Sequence, residues 1–184
     1  MTARHTRSSA ILPAVDLMGI TRSAPWLLFI VALGCGPQRA REAPAPAEDV
    51  TITLERRPCF GTCPVYSITV EGNGRVRYEG TTHVSVVGND TGSITSEQVA
   101  LLIAEFDRVG YEQLADRYAY GEPSCPSYVS DAPTTITSLT RPGTTKRVEH
   151  DYGCADAPPA LTALERLIDD VVRSGQWTGR GGGG

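Results

Sequence analysis

Alternating apolar and polar residues predict the strands in the first part of the folded region. Residues 51–55 and 65–71 alternate with period two, the pattern of half-buried strands. Asn73-Gly74 follows the second strand, and Asn-Gly is a strong hairpin signal because both residues accept a positive φ. Residues 75–79 therefore return as a third strand with their charges outward. Residues 83–87 are interpreted as a fourth strand or an extension of the third.

Two helices are predicted by apolar residues at helical spacing. Thr95 and Gln98 fit a capping box, which places the start of the first helix, and Gly110 can end it. Pro158-Pro159 opens the second helix, because proline is favoured at the first helical position. Trp177 is expected to close the core. The apolar positions of the two helices are Val99, Leu102, Ile103 and Phe106, then Leu161, Leu164, Leu167, Ile168 and Val171.

A second hairpin is predicted between the helices. Residues 134–140 and 146–152 are strand-like and flank an Arg-Pro-Gly-Thr turn at 141–144. The order of elements is therefore β-β-β-(β)-α-β-β-α. Because hairpins dominate this order, we expect an α+β fold with a mainly antiparallel sheet and both helices packed on one face.

Composition and charge exclude several classes of protein. The 184 residues include 17 Lys and Arg and 21 Asp and Glu, so the net charge is −4. A nucleic-acid binder needs a basic balance to collect phosphates. The hydrophobic fraction of 40% and the charged fraction of 21% are those of a globular protein. The chain is therefore neither a polytopic membrane protein nor a coiled coil, and we predict one globular domain over residues 49–178.

An apolar run near the N-terminus predicts export. Residues 26–33 are continuously apolar and follow Arg22, which fits the charged and apolar regions of a secretory signal. The run is too short to cross a bilayer, which takes about 20 apolar residues. Residues 1–34 are therefore interpreted as a signal peptide. Asp16 fits such a signal poorly, and translation from Met18 would give a more compact one.

The end of this apolar run resembles the lipobox of bacterial lipoproteins. The stretch runs from Ala32 through Gly34 to Cys35. The resemblance implies that the signal is cut before Cys35 and that its sulfur is diacylated, which attaches the protein to a membrane. An ordinary cleaved signal or an uncleaved anchor is the alternative. A lipid on Cys35 would leave four of the five cysteines for disulfides.

The segments that flank the domain have a composition unsuited to a core. Residues 35–48 form an Ala/Pro-rich stretch after the cysteine, which predicts an extended tether. Residues 179–184 are glycine-rich and predict a flexible tail. The resemblance to lipoproteins implies sorting by the residue after the cysteine. Gly36 at that place favours the periplasmic side of the outer membrane if the host has two membranes.

The four remaining cysteines are expected to form disulfides. Cys59 and Cys63 flank a tight turn between the first two strands, and Cys125 and Cys154 lie in two later loops. In an exported protein such cysteines are usually paired. Three connectivities are possible. We favour Cys59 with Cys63 and Cys125 with Cys154, because this pairing needs no long excursion of the chain.

A thiol-redox or copper site is the alternative for Cys59 and Cys63. The pattern Cys-x-x-x-Cys-Pro also occurs in copper chaperones of thioredoxin fold, which add a distant histidine. His83 and His150 are the candidates here. A reactive pair of this kind lies at a helix N-terminus, where the dipole lowers the thiol pKa. The turn at Cys59 leads into a strand instead, so we expect no metal or other cofactor.

Catalytic motifs are not evident in the sequence. Glu149, His150 and Asp151 look catalytic, but on a strand His150 points away from its two neighbours. We therefore predict a non-catalytic protein.

Tyr118, Tyr120 and Tyr128 surround a loop rich in Gly, Pro and Ser, and loop tyrosines are good contact residues.

The folded region resembles the bacterial family of domain of unknown function 6438. The resemblance covers about residues 50–173 and is most specific at Cys59-Phe60-Gly61-Thr62-Cys63-Pro64. Weaker pieces are residues 76–80, 131–135 and 148–153. The family consists largely of secreted or lipid-anchored bacterial proteins without an established activity. The resemblance therefore implies a fold and an envelope location, and we expect a binding module with an envelope protein as its partner.

Overall fold

The computed structural model describes residues 49–179. These residues form a seven-stranded, mostly antiparallel sheet with three helices, so the predicted α+β class is confirmed. The strand order in the sheet is β4-β3-β2-β1-β6-β7-β5. The strands are β1 (Thr51–Arg56), β2 (Val65–Glu71), β3 (Arg75–Thr82), β4 (Gly88–Ser93), β5 (Arg117–Tyr118), β6 (Thr134–Arg141) and β7 (Thr144–Asp151). The helices are α1 (Ser96–Arg108), α2 (Pro159–Val172) and α3 (Gly175–Thr178), and a short 3-10 turn covers Tyr111–Gln113.

The sequence pattern places the strands correctly in the two hairpins. β1, β2 and β3 pair antiparallel in chain order, and β6 pairs with both β1 and β7. Alternate residues of each strand face the helices and are buried, as period-two patterning requires. The inward residues of these strands include Ile52, Leu54, Ile68, Val70, Val76, Tyr78, Leu139 and Val148.

The helices cover that inward face and share one core with it. The capping box is present: the Thr95 side chain accepts from the Gln98 N–H, and the Gln98 side chain accepts from the Thr95 N–H. Gly110 follows the helix with a φ of 65°, a conformation that glycine adopts without strain. Trp177 of α3 stacks on Tyr78 at 4.8 Å between ring centroids and closes the core as predicted.

The position of the fourth strand was predicted wrongly. Residues 83–87 form a loop, and β4 lies directly after it, at Gly88–Ser93. This strand has no apolar alternation and is held by backbone pairing to β3. Gly92 lies against the Trp177 ring, and a Cβ there would lie 3.2 Å from two ring carbons. β4 is therefore supported by the side chain of Trp177, far away in the sequence, rather than by an alternation of apolar residues of its own.

Two short elements were also missed. β5 pairs in parallel with β7 through only two residues, and α3 has four residues. Elements of this length carry no periodic signal. Within the part of the chain that the structure describes, no helix is long and apolar enough to cross a membrane.

Candidate functional site

Both predicted cysteine pairs lie at disulfide distance. The Cα atoms of Cys59 and Cys63 are 5.8 Å apart, and those of Cys125 and Cys154 are 5.5 Å apart. Both separations lie within the usual range for a bridge. The pairing of β6 with β7 brings Cys154, which follows β7, to the loop before β6 that holds Cys125.

The alternative metal site does not come together. His150 and the Cys59–Cys63 pair do not form a group of close ligand atoms within residues 49–179. The Nδ1 atom of His150 instead faces a carboxylate of α2. His83 is exposed in the loop before β4. Cys125, Cys154 and Asp156 do lie within 4.8 Å of one another, but two bridged sulfurs offer no thiolate to a metal.

His150 belongs to a row of polar and aromatic side chains that crosses five strands. Strand register places Tyr66, Arg56, Thr135, His150 and Tyr118 directly beside one another, each at the end of its strand. These residues continue the inward-facing positions of their strands, so they meet α2. We call these five residues the polar row.

Helix α2 supplies two carboxylates to the polar row. Glu165 and Asp169 are four residues apart and therefore lie on the same helix face. Glu165 is fully buried, and its oxygens lie 3.0 and 3.2 Å from Nδ1 of His150. The Tyr152 hydroxyl donates to the same carboxylate at 2.6 Å. His150 is buried as well, with only 2% of its surface exposed.

Arg56 connects the hydrogen bonds around Asp169 with those around Glu165. Its Nη2 and Nε donate to Asp169 at 2.7 and 3.2 Å. Its Nη1 donates to the Thr135 hydroxyl at 2.7 Å and to the Tyr152 hydroxyl at 2.9 Å. The Tyr66 hydroxyl donates to the other oxygen of Asp169 at 2.6 Å. One guanidinium therefore fastens β1 to α2 and to the end of β7.

Burial and charge set the pKa directions in this network. Burial raises the pKa of the Tyr66 hydroxyl, and the neighbouring Asp169 carboxylate raises it further. Burial is also the main cause that raises the pKa of Tyr152, with Glu165 adding to it. Burial by itself lowers the pKa of Arg56, but Asp169 and the two tyrosines outweigh it, so the net shift is upward. The guanidinium therefore stays charged and the phenols stay protonated.

The buried polar atoms of this network are all hydrogen-bonded. Among residues 49–179, no buried side-chain nitrogen or oxygen lacks a hydrogen-bond partner. Through Glu165 and Asp169, these hydrogen bonds hold α2 on the sheet at the strand ends.

The sequence analysis did not find this network, although it contained two signals. Glu165 interrupts the apolar stripe of α2 between Leu164 and Ile168, which are both buried. Arg56 continues the inward positions after Ile52 and Leu54. A charged residue at a core position is rarely buried without a partner. Which two charges meet depends on the packing of α2, which no local pattern shows.

Exposed apolar side chains mark a different region. At one end of the sheet, viewed along its strands, β1 and β7 end and β2 and β6 begin. β3 ends there too, since Thr82 pairs with Val65. The connections there are residues 57–64, 83–87, 119–133 and 152–158, which we call the loop edge. Both cysteine pairs lie in these connections.

Four large apolar side chains protrude from the loop edge. Phe60 is 90% exposed, Val87 70%, Tyr120 78% and Val129 69%. In the described residues, one other large apolar side chain, Leu101 on α1, is similarly exposed. The four at the loop edge lie in three of the four connections, with Tyr120 and Val129 in the same one. Tyr118, by contrast, is buried beside His150.

The fold and the site together define a class: a small α+β domain with two cysteine pairs at disulfide distance and loops exposed at one sheet edge. Residues 50–172 match the family described as Domain of unknown function (DUF6438), and the chain belongs to that family. No curated protein matches the chain. The predicted lipidation residue, Cys35, lies outside the residues that the structure describes, as do the tether and all but Gly179 of the tail.

Proposed function

We propose that this protein is a lipid-anchored, non-catalytic binding module of the bacterial cell envelope. A lipid on Cys35 holds it to the membrane, residues 36–48 act as the tether, and the folded domain binds another envelope protein. Gly36 directs it to the periplasmic side of the outer membrane in a host with two membranes.

The cysteine pairs support export. Disulfides persist in oxidising compartments and are rare in the cytosol. Two separate pairs of cysteines at disulfide distance fit a protein that folds after crossing the membrane. This agrees with the signal-like run at residues 26–33.

The placement of exposed apolar side chains carries the binding role. β1 begins at Thr51, at the edge of the sheet opposite the loop edge. Its six residues span about 20 Å at 3.3 Å per residue. A tether that joins the domain at Thr51 would leave Phe60, Val87, Tyr120 and Val129 at the far end, free to contact a partner.

Fatty-acid labelling in cells tests the anchor. We expect the wild-type protein to be labelled and Cys35→Ser to lose the label, because sulfur is the acylation point. Leu33→Ala is the matched control, since it changes the same segment without removing the sulfur and should leave labelling intact. Unchanged labelling of Cys35→Ser would show that the anchor is wrong. Fractionation with the inner membrane would overturn the outer-membrane location.

Site-specific photo-crosslinking in the same cells tests the binding role. A photoreactive residue at Phe60, Val87 or Tyr120 should give adducts with one envelope protein. Asn73 is the control position, because it is exposed in the turn at the opposite edge. Adducts from Asn73 alone, or from no position, would refute the role of the loop edge.

Counting thiols separates this proposal from a redox or copper protein. The unreduced protein should show no free thiol at Cys59 and Cys63. Two stoichiometric thiols there, or copper retained through dialysis, would favour the alternative function. The turn leads into β2 rather than into a helix, so these cysteines do not lie at a helix N-terminus.

A further inference from the structure

One part of the loop edge carries a defined aromatic surface. The rings of Tyr120 and Tyr128 lie 5.3 Å apart between centroids and are tilted by 57°. Tyr120 is 78% exposed, and Val129, which follows Tyr128, is 69% exposed. We call these three side chains the tyrosine surface.

This surface is held in place by the neighbouring segment after β7. The Val129 N–H donates to the Gly153 carbonyl at 2.8 Å, and Tyr128 forms a backbone bridge with Cys154. A Cβ on Gly153 would lie 1.9 Å from the Val129 carbonyl oxygen, so the two segments touch directly. A surface ordered before binding loses little conformational entropy when a partner arrives.

The two segments that build the tyrosine surface carry only negative charges. These segments, residues 118–133 and 151–159, contain four Asp and Glu and no Lys, Arg or His. Glu122 is paired with Arg117 at 2.7 Å. The other three, Asp131, Asp151 and Asp156, accept hydrogen bonds from neutral donors. These hydrogen bonds therefore bring no positive charge to the three carboxylates.

Two of these carboxylates lie close to the rings. The Tyr128 hydroxyl donates to Asp151 at 2.9 Å. This hydrogen bond is the main cause that raises the pKa of Tyr128, and the charge of Asp131 contributes as well. Both carboxylates therefore lie near Tyr128, whose ring is next to that of Tyr120. Negative charge and exposed aromatic surface thus occur at the same place.

We propose that the tyrosine surface binds a segment of the partner protein that presents Lys or Arg side chains. An exposed ring face attracts a cation, and flanking carboxylates add to that attraction. Anionic lipid or nucleic acid would be repelled by the same charges. This proposal rests on the binding role of the loop edge and names the chemistry of its partner.

Peptide titration of the purified full-length protein in detergent tests it. The probe is a fluorescent decapeptide of alternating Lys and Ser, and the reference is its Glu and Ser counterpart. We expect only the Lys peptide to bind, and its affinity to fall as NaCl rises from about 50 to 500 mM, because salt screens exposed charges. Equal binding of both peptides would overturn the proposal.

Variants locate the binding. Tyr120→Ala should weaken binding of the Lys peptide roughly three- to tenfold, since it removes the exposed ring face. Asp131→Asn should weaken it by a smaller factor. Asparagine tolerates the φ of 71° at this position, so the loop is kept. Leu101→Ala on α1, whose side chain is also exposed, and Glu79→Gln are the matched controls away from the loop edge and should leave the affinity unchanged.

Failure of this proposal is distinguishable from failure of the binding role. A glycan, chitotetraose, is titrated alongside the two peptides. If it binds and the Lys peptide does not, the tyrosine surface is a glycan site and the proposal of a cationic partner is wrong. If no probe binds but crosslinks form at Phe60, the loop edge still binds a partner and the tyrosine surface does not take the cation. Equal effects of Tyr120→Ala and Leu101→Ala would also overturn the assignment.

Discussion

The polar row and the tyrosine surface each bring tyrosines together with neighbouring carboxylates, but their surroundings differ. Beneath α2, tyrosine hydroxyls donate to Asp169 and Glu165, and Glu165 has no exposed surface. At the tyrosine surface, Tyr120 stands in solvent with carboxylates nearby.

This contrast shows that residue type alone does not identify a functional site. His150 and Glu165 would be a catalytic pair by composition, yet their hydrogen-bonding capacity is turned toward each other and toward Tyr152. Mutations in the polar row should therefore affect stability, whereas mutations at the loop edge should affect binding. The predictions below test that division, from the largest expected effect to the smallest.

Glu165→Ala should destabilise the domain by about 3–5 kcal/mol, because two buried groups lose their hydrogen-bond acceptor at roughly 1–3 kcal/mol each. The change leaves His150 Nδ1 and the Tyr152 hydroxyl without their shared acceptor and opens a cavity. Urea unfolding measures the effect. Arg166→Ala, an exposed neighbour on the same helix, should change stability by less than about 0.5 kcal/mol. Equal effects would contradict the structural role of Glu165.

The bridge between Cys125 and Cys154 should contribute more than the other one. Its sequence separation is 29 residues against 4 for Cys59 and Cys63. In the chain-entropy model the longer loop gives about 3–4 kcal/mol and the shorter about 2 kcal/mol, less any strain. Replacing each pair with serine and comparing urea midpoints checks this order. A larger loss from the Cys59 and Cys63 variant would reverse it.

Arg56→Met should destabilise the domain by about 1–3 kcal/mol, because a hydrogen-bonded carboxylate is left without its cation. Asp169 keeps the Tyr66 hydroxyl, and its side chain is 14% exposed, so water relieves part of the cost. Thermal unfolding measures the loss. Arg57→Met next to it, at an exposed position, is the control and should have little effect.

Stability should fall in alkali. Burial raises the pKa of Tyr66 in the folded state, so the unfolded chain releases that proton first, at about pH 10. The contribution is therefore complete below pH 10 and is lost as pH rises beyond it. At pH 11 this one tyrosine should cost about 1 kcal/mol. Tyr66→Phe should show a shallower decline between pH 9 and pH 11, and an identical decline would exclude this cause.

Phe60→Ala should change stability by less than about 0.5 kcal/mol, because the side chain is 90% exposed and loses no packing. The same variant should reduce photo-crosslinking from the neighbouring position Thr62 to the partner. A large loss of stability would mean that Phe60 belongs to the fold rather than to the binding surface.

The local patterns were sufficient where a single strand or helix carries its own signal. Period-two alternation predicted β2 and β3, and the Asn73-Gly74 turn predicted their pairing. Thr95 and Gln98 predicted the start of α1. The favoured cysteine pairing also follows from order along the chain. The lipid on Cys35 is a prediction of the same kind and lies outside the described residues.

Tertiary structure decided what depends on residues far apart in the chain. β4 exists because β3 offers a free edge and Trp177 packs on Gly92, whereas its own sequence has no strand pattern. The contact between Arg56 and Asp169 joins residues 113 positions apart.

The sequence by itself determined the hairpins and the two long helices. Each of these rests on neighbours along the chain, whose spacing sets the backbone geometry directly. Only the packing of α2 across the strand ends decided that Glu165 and His150 are buried together, and only the strand pairing decided that the exposed side chains lie at the loop edge. Burial is a property of the assembled surface, so no local pattern could contain it.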